Sequence, residues 1–111
     1  MRPLLAFAIL MLSAGCQRTP EQQQADTLRA DAQRRGSVIE NQAELEANQL
    51  EQQADALNNE ANKTGGLTGE RFNVRADALA KEARIVRKQA DMQADAIKDA
   101  ADARIKASES R

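Results

Sequence analysis

Residues 63–69 read Lys63-Thr64-Gly65-Gly66-Leu67-Thr68-Gly69 and hold three of the chain's five glycines. On either side lies a long stretch without a helix breaker. Residues 21–62 contain no Pro and one Gly, Gly36, and residues 70–107 contain neither. Breakers confined to one short segment predict two long helices, about 21–62 and 70–107, joined by a turn at 63–69. Thr68 stands where it would cap the second helix. At the start of the first, Thr19-Pro20-Glu21-Gln22 has the pattern of a capping box with Pro in the first helical position. At 1.5 Å per residue each helix would run about 60 Å.

Outward from the turn, both segments carry an apolar stripe. The first runs Leu28, Ala32, Gly36, Ile39, Ala43, Ala47, Leu50, Ala54, Leu57, Ala61. The second runs Phe72, Ala76, Leu79, Ala83, Val86, Ala90, Ala94, Ile97, Ala101, Ile105. Each advances about 3.67 residues per turn, the period of an 11-residue repeat, which keeps helices nearly straight with a slight right-handed supercoil. The stripes are mirror images about the turn. Folding the chain there pairs Leu28 with Ile105, Gly36 with Ile97, Ile39 with Ala94, Leu50 with Ala83 and Ala61 with Phe72. Most pairs set a large side chain against Ala or Gly, which lets two helices interdigitate closely. The expected fold is all-α, an antiparallel two-helix hairpin with coiled-coil character.

Charge is distributed in the same mirrored way. Residues 40–62 carry six acids and no base. Residues 71–88 carry six bases (Arg71, Arg75, Lys81, Arg84, Arg87, Lys88) against Asp77 and Glu82. The hairpin brings these stretches together, and nearer its open end it would set Arg34 and Arg35 opposite Asp95 and Asp99. A parallel or slipped pairing would juxtapose like charges.

Composition narrows the function classes. Of 111 residues 41% are hydrophobic and 2% aromatic, and Ala supplies 22 of the 46 apolar side chains. Ala cannot fill a thick globular core. There is no His, which removes most His-based acid–base catalysis, and the single Cys leaves no Cys/His metal constellation. Asp91, Asp95, Asp99 and Asp102 read as a solvated helix face without the loop cage that Ca²⁺ requires. Lys63-Thr64-Gly65-Gly66 lacks the order of a phosphate loop. A net charge of −1, and a basic stretch with only Phe72 for stacking, give no case for nucleic acid. The expectation is a non-enzymatic chain without cofactor or metal.

The N-terminus carries an address. Met1-Arg2-Pro3 is a short basic start, followed by the nine-residue apolar run 4–12 (LLAFAILML), too short for a membrane-spanning helix of about 20 residues. It has the form of a signal-peptide core, and it leads into Leu12-Ser13-Ala14-Gly15-Cys16, which contains the only Cys. Small residues before a single Cys resemble the lipobox of bacterial lipoproteins, although Ser13 stands where Leu is usual and Leu12 lies one place earlier. The resemblance implies cleavage after residue 15 and lipidation of Cys16 with palmitate-type chains. The residues that follow then divide into a tether over 16–20 with the lipidated Cys, the hairpin over 21–107 and a polar tail over 108–111. Gln17 after the Cys, in place of Asp, implies sorting to the outer membrane, with the hairpin facing the periplasm. Several acyl chains on one residue anchor far more firmly than one.

A second set of apolar residues lies off the stripes: Val74, Ile85, Met92, Ala96 and Ala103 on the second segment, Val38, Leu45 and Ala56 on the first. A helix with a second seam usually buries it against another surface. The candidates are self-association into a four-helix or larger bundle, and docking on an envelope protein. In general form the chain is similar to small coiled-coil envelope lipoproteins. It ends Ser108-Glu109-Ser110-Arg111, without the terminal Lys by which the murein-linked kind joins peptidoglycan. The expected function is a lipid-anchored structural or interaction protein of the cell envelope. The alternative is a stress-protective or lipid-surface amphipathic helix, since 11-residue repeats rich in Ala and charge also resemble those of desiccation-protective and apolipoprotein-like chains.

Overall fold

The computed structural model describes residues 19–110. Helix α1 spans Pro20–Thr64 and helix α2 spans Gly66–Glu109, and the two pack antiparallel as a hairpin. The lipobox, Cys16 and the signal segment 1–15 lie outside the described residues.

The start of α1 is the capping box read from the sequence. The Gln22 backbone N–H donates to Thr19 Oγ1 at 3.2 Å, and the Thr19 N–H donates to Gln22 Oε1 at 3.3 Å. Two N–H groups without a helical partner are thereby satisfied, and Pro20 supplies a preset φ where no donor is needed.

The turn is tighter than the expected span of 63–69. Only Gly65 separates the helices, and α2 starts at Gly66 instead of about residue 70. Thr68 is therefore inside α2 and is not its cap; Gly65 holds that place without a side-chain bond. Gly65 and Gly66 both have φ of +64°, and Gly65 has ψ of −179°, a combination essentially restricted to glycine. Two such residues in succession reverse the chain with no intervening loop. The Gly65 N–H donates to the Ala61 carbonyl, and the Gly69 N–H to the Gly65 carbonyl, both at 3.0 Å, so the reversal leaves these groups paired. Gly69 serves a different need. A Cβ there would stand 2.8 Å from the Ala61 carbonyl oxygen, so the first turn of α2 can lie on the last turn of α1 only without a side chain.

All twenty stripe positions are buried or half-buried. Their division of labour differs from the expected large-on-small pairing. The fully buried residues are almost all small: Ala32, Gly36, Ala43, Ala47, Ala54 and Ala61 on α1, and Gly69, Ala76, Ala83, Ala90, Ala94 and Ala101 on α2, with Ile105 alone among large side chains. Leu28, Ile39, Leu50, Leu57, Phe72, Leu79, Val86 and Ile97 are half-buried. The reason is geometric. Small residues let the two backbones approach along the line of contact, and larger ones straddle its margins, where a two-helix fold has nothing further to cover them. At Gly36 an added Cβ would lie 3.3 Å from Ala94 Cβ, so Gly36 meets Ala94, and beside it Lys98, instead of the expected Ile97.

Candidate interaction surface

The hairpin presents long sides and two ends. One face is organised around Arg87 of α2. Its guanidinium donates from Nε and Nη2 to the two oxygens of Glu44, each at 3.0 Å, and from Nη2 to Asn48 Oδ1 at 3.1 Å. Nη1 donates to Glu51 Oε1. Glu44, Asn48 and Glu51 recur every three to four residues, so one arginine grips two turns of α1. The bonds from Arg87 hold the Glu51 carboxyl below the usual glutamate range against some desolvation, and the charges of Arg87 and Arg84 act in the same direction. Arg87 is pushed up in turn by its bonds to Glu51 and Glu44.

This cluster is the structural content of the complementary charge blocks, concentrated in one residue. At the open end the expected cross-helix pairing gives way to local pairs. Arg34 meets Asp31 at 2.6 Å and Arg35 meets it at 3.1 Å, both within α1, instead of Asp95 and Asp99. Residues three and four apart on a helix are already neighbours, so these pairs need no ordering of a second element.

The second seam stays exposed, turned away from the buried stripe of each helix. Val38, Leu45, Val74, Ile85 and Met92 are between 48% and 70% exposed, and Ala56, Ala96 and Ala103 are exposed beside them. Leu67, the most exposed large apolar residue among those described, sits at the tip beside Gly66; a leucine inside a glycine-rich turn is the signal that would have singled it out. At the open end Thr19, Gln22, Leu28, Arg104 and Ile105 line a shallow recess, so the start of α1 and the end of α2 lie together.

Asp91, Asp95, Asp99 and Asp102 are exposed, and among the described residues no three acidic, His or Cys side chains are grouped to hold a metal ion. Among those residues, too, no helix is long and apolar enough to cross a membrane. Comparison with known protein families, with curated proteins and with solved structures returned no match.

Proposed function

We propose that this chain is a lipid-anchored structural or interaction protein of the bacterial cell envelope. In this reading Cys16 carries lipid in the outer membrane, and the hairpin is displayed in the periplasm, where it self-associates or docks on an envelope partner. The observation that carries the reading is the placement of Leu12-Ser13-Ala14-Gly15-Cys16 just ahead of a capped, rod-like hairpin. Three residues separate Cys16 from Pro20, so an anchor at Cys16 would hold the base of the rod against the bilayer. The hairpin shape supports presentation of a surface: its long sides carry the Arg87 cluster and a set of exposed apolar residues.

The test is Cys16→Ala. An unprocessed precursor should accumulate and palmitate labelling should vanish. Processing and membrane retention that survive the change would remove the lipoprotein reading.

A further inference from the structure

We propose that the hairpin has a second, straightened form in which two copies exchange α2. Each chain then runs as one continuous helix through residues 64–66, and α1 of each copy packs on α2 of the other. The partner is a second copy of this chain, and the surface used is the buried stripe itself. This form goes beyond the reading as an envelope protein and needs no lipid at Cys16.

The first observation is the phase of the repeat. The stripe of α1 recurs every 11 residues from Leu28 to Ala61, and that of α2 every 11 residues from Phe72 to Ile105. The step from Ala61 to Phe72, across the turn, is also 11. Eleven residues complete three helical turns at this period. A helix running straight through the turn would therefore carry one unbroken stripe from Leu28 to Ile105. A hairpin requires only that each helix bury its own stripe, and sets no condition on their phase along a common axis.

The second observation is the turn. Gly65 alone separates the helices, and Gly65 and Gly66 are the only described residues with positive φ. Moving these two glycines from φ of +64° to helical angles joins α1 to α2. Residues 20–64 and 67–109 keep the helical form they already have. A hinge this short is the kind through which identical elements are exchanged between copies.

The third observation is that the exchange preserves the contacts between the helices. Gly36 and Ala94, which meet, each stand 29 residues from Gly65, and Ala61 and Gly69 each stand four from it. Two continuous helices crossing antiparallel at Gly65 therefore restore the same pairs between chains. Arg87 of one copy reaches Glu44 and Glu51 of the other as it now reaches its own. Gly65 and Gly66 inside a helix weigh against this form, because glycine gives up the most backbone freedom there, and only the dimer needs a second chain. The hairpin is thus the form of the dilute chain and the exchanged dimer that of the concentrated one. From Pro20 to Glu109 the dimer is a rod of about 135 Å at 1.5 Å per residue, with the two Pro20 ends at opposite tips.

The test reads which chain supplies α2. Gln42 shares a groove with Val86, Gln89 and Gln93, so a photo-crosslinking amino acid at position 42 reaches the same α2 residues in both forms. Isotopically light and heavy full-length chains are unfolded together, refolded in detergent and irradiated. Adducts on residues 86–93 should fall within one chain when dilute, and the light–heavy share should rise with concentration. Gly65→Ala with Gly66→Ala disfavours positive φ and favours helix. In that variant the light–heavy share on the same residues should reach that of random pairing, with helicity by circular dichroism retained. A Gly-Ser insertion between Gly65 and Gly66 interrupts the continuous helix and still permits the hairpin. It should abolish light–heavy adducts and keep those within the chain. Four results would overturn the exchange: loss of helix in the double-alanine chain, adducts there that stay within one chain, a wild-type light–heavy share indifferent to concentration, or light–heavy adducts that survive the insertion. Palmitate labelling of Cys16, read on cells expressing the same variants, reports the anchor separately.

Discussion

At the scale of the residue, three glycines do two kinds of work. Gly65 and Gly66 supply backbone angles that a side chain disfavours, in open space where an added Cβ would meet nothing within 4 Å. Gly69 supplies absence, because its Cβ would strike the Ala61 carbonyl. Gly65→Ala should destabilise the hairpin by about 1–3 kcal/mol, the usual cost of a strained backbone position. Gly69→Ala should destabilise it by a comparable amount through the enforced separation of the helices at the tip. Thermal melts followed by circular dichroism measure both, and an unchanged midpoint in Gly69→Ala would show that the tip contact is dispensable. Glu51 makes a pH prediction. Its carboxyl is held below the ordinary value of 4.5 in the folded chain by Arg87, so it binds a proton less readily folded than unfolded. The stabilisation is therefore complete above the ordinary glutamate value and is lost as pH falls through the lowered folded value. Glu51→Gln should flatten the pH dependence of the melting midpoint in that acid window and leave its slope near neutral pH unchanged.

At the scale of the element, each helix begins and ends for a separate reason. α1 starts on a side-chain cap, and α2 starts on backbone geometry alone. Thr19→Ala removes the acceptor for the Gln22 N–H and should cost about 0.5–2 kcal/mol, with fraying confined to the first turn. Amide exchange read residue by residue checks this: faster exchange at the first turn with unchanged protection around Ala47 is the expected pattern. As in most proteins, the greater part of helix stability here comes from packing the apolar stripe against the partner and the lesser part from local propensity. That dependence accords with a line of buried contact residues that runs from Ala32 to Ala61 on α1 and from Gly69 to Ile105 on α2.

At the scale of the whole molecule, the chain returns on itself, and Leu28 and Ile105 border one recess. Cysteines at those two positions, in a chain with Cys16 replaced, should crosslink within one molecule, since packed helices are about 10 Å apart. A continuous rod would separate them by roughly 115 Å at 1.5 Å per residue, and finding only crosslinks between molecules would replace the hairpin by an extended oligomer. Circular dichroism on dilution addresses the alternative class of function. A hairpin should remain helical when dilute, whereas a desiccation-protective or lipid-surface helix should be largely unfolded there until dried or bound.

The stripes, the capping box at Thr19 and the single break were legible because each is a local pattern: a period, a three-residue spacing, a cluster of glycines. The mirrored stripes then left one way to bury both, and the hairpin followed. The Arg87 grip on Glu44, Asn48 and Glu51 was legible only as two blocks of opposite charge; which of six bases reaches across depends on helix rotation and spacing. Arg34 and Arg35 show the same limit, because a nearby Asp31 outcompetes a distant pairing that the charge pattern allows. The tertiary structure also decided that small residues hold the centre of the contact and large ones its margins. Sequence period identifies the buried face of a helix, but how close two backbones come is set by the smallest side chains between them, here Gly36 on Ala94 and Gly69 on Ala61.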